Sequence, residues 1–312
     1  MTKKNLILLY GILFSMMLSL SSCSSDDSSS SNDIPFSADI FQSVVGKKVA
    51  FQGLTNNAVS WTWDFGDGTT SSEKNPVHVY SDGGYYTAKL TATSADGSSI
   101  SKEVILAIDL TPYILLTGGP TATNGKTWRI ASAHSAADKL ADADADFSPI
   151  EQPLATGILG LLGMGEVYED TFTFHFEGGY EIDTKADGAV FSGLVYQIVT
   201  AGFGGVVNAN GQDYGLCTGL FTPDDNLTFT YVENEDLNVP SVYGPGGVLT
   251  FGNVTTLDFS GNGFLGFKDF QSKVIVQEIK DNSMRVVMFM AASQDYIGVN
   301  THALVFTFEV VN

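Results

Sequence analysis

Cysteine is almost absent: two in 312 residues, which excludes a disulfide framework. Cys217 lies in YGLCTGLF, apolar and without a basic neighbour, the setting of a buried, inert thiol. Positive charge is scarce as well. Fifteen Lys and Arg stand against 35 Asp and Glu, for a formal net charge of −20. Such a surface repels phosphate backbones and anionic headgroups, which excludes nucleic acid as a partner and favours neutral polymers such as uncharged polysaccharide. Only four histidines are present, too scattered for a zinc site, and no G-x-S-x-G elbow occurs. What the chain has instead is 33 glycines and a 12% share of aromatics with only 16% charged residues, a mix that favours β-structure with many turns.

The start, MTKKNLILLYGILFSMMLSLSSC, joins two lysines to an apolar stretch over residues 6–20. That is the charge and length of a secretory signal peptide, shorter than a comfortable membrane span. Its end, Leu20-Ser21-Ser22-Cys23, resembles the bacterial lipobox. The resemblance implies cleavage after residue 22 and a lipid on Cys23, whose acyl chains would anchor the protein in a membrane. Residues 23–33 follow as a Ser/Asp-rich tether that cannot build a core. A short acidic tract directly after the lipid cysteine resembles the surface-export signal of Bacteroidetes-type lipoproteins. It implies an outer-membrane location facing the cell exterior.

Residues 34–110 read as short alternating strands, KKVAFQ, SWTWDF and YYTAKLTAT among them, separated by GDGTTSSEKNP, SDGG and SADGSS. Seven or so such strands describe a small β-sandwich. Asp64 and Asp67, within WTWDFGDGTT, are expected to accept backbone N–H bonds in a turn rather than hold a metal, which needs more convergent carboxylates. The run Trp63–Gly68, then Asn75-Pro76-Val77-His78-Val79-Tyr80, then Gly84, Tyr86 and Leu90, resembles the PKD domain, an immunoglobulin-like module. Ala88 replaces the usual valine. The resemblance implies a spacer or a unit that contacts protein or glycan.

After the linker DLTPY, residues 113–312 again read as β-structure. Phe172, Phe174 and Phe176 alternate with polar residues, and Glu177-Gly178-Gly179 turns into a partner strand. Further strands are expected over 227–231, 248–251, 255–259, 274–279, 285–290 and 303–311. So many amphipathic faces predict two packed sheets, a sandwich or jelly roll, with residues 201–219 as a rim loop. Lys126-Thr127-Trp128, Tyr168–Phe174 and Gly263-Phe264-Leu265-Gly266 occur in an order that resembles the downstream domain of Bacteroidetes surface lipoproteins encoded with polysaccharide-uptake systems. The overall class is all-β: a PKD-like sandwich followed by a larger one.

Candidate chemistry is thin. Glu181 and Asp183 alternate on one strand as glycosidase carboxylates do, but the next glutamate of that signature is missing and a hairpin explains them. Asp142, Asp144 and Asp146 are candidates for a structural Ca²⁺, with a solvated acidic loop as the plainer reading. His134, Ser132 and Ser135 are too close in sequence for a triad. ILGLLGMG at 158–165 reads as a buried segment and Trp128 as core. Sugar binding requires flat aromatic surfaces edged by polar groups. Tyr196, Phe203, Tyr214, Tyr243 and Tyr296, in loop contexts, are the ligand-binding candidates. The expected function is non-catalytic capture of polysaccharide, such as a neutral β-glucan, beside an outer-membrane glycan transporter. A divergent glycoside hydrolase and an adhesive surface protein are the alternatives. No catalytic residue and no obligatory cofactor is expected. Cys23→Ala should block processing or release the protein from membranes; fractionation that finds correctly processed C23A protein still membrane-bound refutes the lipid assignment.

Overall fold

The computed structural model describes residues 34–311. The leader, Cys23 and the tether lie outside them. Seven strands open the described chain: β1 (Ser37–Val45), β2 (Lys48–Asn56), β3 (Ala58–Asp64), β4 (Thr70–Ser71), β5 (Val77–Val79), β6 (Gly84–Ser94) and β7 (Ser99–Ile108). They form two antiparallel sheets, ordered β1-β2-β5 and β4-β3-β6-β7. Period-two alternation sends Val49 and Phe51 from one sheet and Trp63, Ala88, Leu90 and Leu106 from the other into a shared core. Trp63 is fully buried, with its ring centroid 5.0 Å from Phe51.

The aspartates of WDFGDG serve the turn. Asp64 Oδ1 accepts the Gly66 N–H at 2.9 Å, and Asp67 Oδ1 accepts the Thr69 N–H at 3.0 Å and its hydroxyl at 2.6 Å. Asp67 Oδ2 takes the His78 Nε2–H at 2.6 Å. The imidazole stacks flat on Phe65, 4.2 Å between centroids, and meets Tyr80 edge-on. The Tyr80 hydroxyl donates back to the Phe65 carbonyl at 2.9 Å. One carboxylate thus ties the turn to β5.

The linker is not extended. Thr111 caps a short helix, α1 (Pro112–Thr117), by accepting the Ile114 N–H. Pro112 stands at its first turn, where a proline starts a helix rather than ending one. Tyr113 packs against Phe176, Phe229 and Tyr231, so the segment belongs to the second core.

The remaining strands are β8 (Lys126–Ile130), β9 (Lys139–Asp142), β10 (Pro149–Glu151), β11 (Thr171–Phe174), β12 (Tyr180–Asp183), β13 (Ala189–Gly193), β14 (Val206–Asn208), β15 (Leu216–Leu220), β16 (Phe229–Pro240), β17 (Val248–Phe259), β18 (Val274–Ile279), β19 (Ser283–Met290) and β20 (His302–Val310). Helices α2 (Ile158–Leu161) and α3 (Leu194–Ala201) lie between them. Ten strands join one antiparallel sheet ordered β12-β11-β8-β20-β19-β18-β17-β16, with β9 on the other half of β20 and β10 outside it. A small sheet, β13-β15-β14, stands apart. Residues 201–219 therefore supply two strands where a loop was expected.

The large sheet is apolar on both sides at its centre. Met284, Val286, Met288 and Met290 of β19 join one cluster with Trp128, Phe172, Phe191 and Phe306. Val287 and Phe289 point the other way and join Phe147, Leu237, Val239 and Phe251. The small sheet contributes Val190, Phe191 and Leu216 to the first cluster, and α2 contributes Leu159. The second is covered by the large sheet itself. Register shifts between Val232 and Leu237 bulge the β16–β17 hairpin, and bulges bend strands. Only the base of β17, Thr255–Leu257, pairs with β18. The distal half leaves the ladder and packs over β19 and β20, the Phe251 ring stacked on Phe147 at 4.9 Å. Ser241 fixes its tip by donating to the Ala143 carbonyl at 2.7 Å, and the Val242 N–H donates to Asn300 at 3.1 Å.

The first sandwich meets the second at the β18–β19 turn. The Tyr85 hydroxyl donates to the Asp281 carboxylate, and Lys126 Nζ donates to the carbonyls of Asp281 at 2.6 Å and Leu115 at 2.7 Å.

Burial opposes ionisation of Asp67, yet the hydrogen bonds from Thr69 and His78 outweigh it and hold the carboxyl below its ordinary value. A depressed acid stabilises the fold above its unfolded pKa and loses that contribution as pH falls through the folded value. Asp67→Asn should destabilise the first sandwich by about 1–2 kcal/mol at pH 7. Thermal melts of wild type and variant should converge as the pH drops into the acid range; a gap unchanged by pH contradicts the carboxylate's role.

Candidate functional site

The loop between β19 and β20 gathers the aromatic candidates. It carries Tyr296 in a short turn, Gln294–Tyr296. The Tyr196 ring, on α3, meets Phe270 edge-on at 5.2 Å, and a side chain at Gly298 of the loop would touch that phenylalanine. Gly215, directly after Tyr214, approaches so closely that a Cβ there would lie 2.8 Å from that of Ala292. Tyr243 follows Val242, which is bonded to Asn300, and its hydroxyl donates to Asp142 at 2.6 Å. Four of the five candidates thus converge on residues 291–301. Phe203 stands beyond the C-terminal end of α3. Phe203 is 80% exposed and Tyr296 57%, with Tyr214 and Tyr243 at 46% each. Tyr196 is half-buried against Phe270 and Lys268, so it offers less free surface than the sequence suggested. Under Tyr214 lies a small apolar pocket of about 60 Å³, walled by Leu154, Ile158, Leu162 and Phe306.

This rim has a defined polarity in the molecule. The eight residues of β19 separate it from the Asp281 turn, about 26 Å at the rise of a strand. The first sandwich sits at the turn, so the rim is displayed at the opposite end.

The three alternating aspartates do not converge. Asp142 is bonded to Tyr243, while Asp144 Oδ1 accepts the N–H groups of Asp146 and Ser148 at 3.2 and 2.9 Å, capping its own turn. Among the described residues no group of three or more His, Cys, Asp or Glu side chains is placed to hold a metal ion. Strand alternation ends at Asp142, so Asp144 and Asp146 follow turn geometry instead. Glu181 and Asp183 share the exposed face of β12, but each has a local partner: His175 at 3.1 Å and Lys185 at 2.6 Å.

His134 belongs to a sealed network. Its Nδ1–H donates to Asp138 at 3.0 Å, and the Tyr168 hydroxyl donates to Nε2 at 2.9 Å. Ser135 and the Thr307 N–H and hydroxyl also donate to Asp138. Burial opposes the Asp138 charge, yet the bonds from His134, Ser135 and Thr307 hold its pKa down at about 2. Neither the His134 nor the Asp138 side chain has exposed surface, so the network staples the loop after β8 to β20 and meets no substrate.

Sequence reading missed a buried charged pair. Lys268 Nζ sits 5.5 Å from the Phe264 ring centroid and 5.8 Å from those of Tyr196 and Phe221, donating to the Asn262 carbonyl at 2.8 Å. Asp269 Oδ1 accepts the Phe270 N–H at 2.6 Å; Oδ2 has no hydrogen-bond partner among the described residues. Their only signal was a charged pair, Lys268-Asp269, set between two phenylalanines. Cys217, on β15, is wholly buried, and burial first, with Asp269 second, pushes its thiol up to about 12.

Residues 42–107 match the PKD domain family model, so the first sandwich is a PKD domain. Collagenase ColA of Bacillus cereus is 31% identical over 77 residues, 23% of this chain and 8% of the collagenase. Pre-pro-metalloprotease PrtV of Vibrio cholerae is 41% identical over 59 residues, 19% of this chain and 6% of the protease. The chain thus spans less than a tenth of either relative. The solved PKD1 domain of PrtV is 33% identical and covers 25% of this chain and 100% of its own, at a TM-score of 0.24. A carbohydrate-binding module of the β-sandwich superfamily aligns over 89% of this chain and 92% of its own, at 12% identity and a TM-score of 0.25. At that score the alignment carries nothing about ligand.

Burial pushes the Asp269 carboxyl up to about 7. An acid with a raised folded pKa contributes fully below its unfolded value, and that contribution is lost as pH rises through the folded one. Stability should therefore decline from pH 4 to 7 on this account, and Asp269→Asn should lessen the decline, the rest remaining with Asp170, whose carboxyl burial raises to about 8. Denaturant midpoints at pH 4.5 and 8 check this; an equal shift at both contradicts it.

Proposed function

We propose, for a chain that pairs a PKD domain with a larger β-sandwich, a lipid-anchored protein of the outer membrane that faces the exterior. Its second sandwich captures neutral polysaccharide without cleaving it and passes it to a transporter in the same membrane. The observation that carries this reading is the convergence of Tyr214, Tyr243 and Tyr296 on one loop of a rigid sheet, at the end remote from the PKD domain. The lipobox-like Cys23, followed by an acidic tether and then by the PKD domain in sequence, supports the anchored reading. Sugar rings present C–H faces to aromatic planes and hydroxyls to their edges, which fits exposed tyrosines better than an anionic ligand fits a surface of charge −20.

The alternative of protein adhesion draws on Ile297, exposed beside Tyr296.

Affinity electrophoresis of the full chain in gels cast with neutral β-glucans and other polysaccharides tests the reading. Tyr214→Ala and Tyr296→Ala should each weaken binding by about 2- to 10-fold, the contribution of one stacked ring, with melting temperatures unchanged. Release of reducing sugar during incubation would support a hydrolase instead. No retardation by any polysaccharide would leave adhesion as the function.

A further inference from the structure

The bulge that bends the β16–β17 hairpin also opens a groove. From Thr255 to Leu257 β17 pairs with β18. Beyond this point Val254, Asn253 and Gly252 diverge from Gln277, and the wedge between the strands is an open groove of about 620 Å³. Its floor includes Phe147 and Phe251, parallel within 7°, and its rim carries Thr250, Asn253, Thr255 and Gln277. None of the eleven lining residues is charged, in a chain with 35 acidic residues.

We propose that this groove is a second binding site, separate from the aromatic rim, and that it takes a short stretch of neutral oligosaccharide. The side-chain amides of Asn253 and Gln277 make no hydrogen bond to the described residues. Each offers two N–H donors and a carbonyl acceptor, the mixed set that sugar hydroxyls require. The apolar floor matches the C–H face of a pyranose, and the volume is that of a small-ligand site. Ions of either sign have no counter-charge in the groove.

An extended peptide is the rival occupant, because diverging strands expose backbone edges. Asn253 argues against it. Its φ is +57°, and its N–H is taken by Asp236 Oδ1 at 3.1 Å. A left-handed residue interrupts the edge that an added strand would copy, while presenting its amide side chain. The place of the site follows from geometry; its ligand class rests on the glycan reading above.

The test is a titration of the full chain, ¹⁵N-labelled, with a neutral β-glucan hexasaccharide, observed at the side-chain amide resonances of Asn253 and Gln277. Asn253→Gly, which keeps the left-handed backbone, and Gln277→Ala identify those signals by their loss. Both signals should shift in wild type. They should still shift in a rim variant carrying Tyr214→Ala and Tyr296→Ala, and adding Asn253→Gly and Gln277→Ala to that variant should weaken its hexasaccharide binding about 5- to 10-fold. Hexasaccharide binding that leaves both amides unmoved overturns the groove and spares the rim. Absence of binding to any neutral oligosaccharide overturns both. Shifts produced by an unstructured hexapeptide and not by sugar overturn the assigned ligand.

Discussion

Residues on both faces of β19 and β20 must be kept from water, and the second sandwich is organised around that demand. A strand that alternates apolar and polar residues needs one cover. Met288 and Phe289 are adjacent and both buried, so this sheet needs two. On one side the cover is a small independent sheet with helices. On the other it is the sheet's own hairpin, folded over by the bulge near Asn234 and Asn253, both at positive φ. The kink, the hairpin tip held at Asn300 and the wedge beside Gln277 all follow from that one bend.

Much of this was readable in the residues, for local reasons. The first sandwich declares itself because its core alternates with period two and its turns carry Gly, Asp and Asn–Pro at fixed places. Phe172, Phe174, Tyr180 and the β18–β19 pair obey the same rule. The sequence even breaks at the bend: Gly252-Asn253 divides the β17 residues into two apparent strands, and the chain kinks there while remaining one strand. Helix α3 was hidden because Leu194–Ala201 is apolar nearly throughout and flanked by glycines, a pattern that suits a buried strand equally well. Asp142, Asp144 and Asp146 looked alike in the sequence. Their partners, Tyr243 and the Ser148 N–H, decide their roles, and Tyr243 comes from 101 residues away.

The rim was half legible. Loop context picked out Tyr214, Tyr243 and Tyr296 as surplus to the core. Nothing local could show that two other connections meet the loop 291–301 that carries Tyr296, because each is brought there by a long-range contact, Gly215 against Ala292 and Val242 to Asn300. The buried pair Lys268-Asp269 was illegible for the opposite reason: a charge in sequence is read as surface, and only the surrounding rings show that it is not.

Cys217 has a consequence for how the molecule ages. In oxidising surroundings a free thiol invites mixed disulfides and dimers through exchange, which requires thiolate. With its pKa pushed up to about 12 under the β13–β15 pairing, almost none is present while the small sheet is closed. Its oxidation then requires that sheet to part, so the thiol reports on the breathing of one cover of the core.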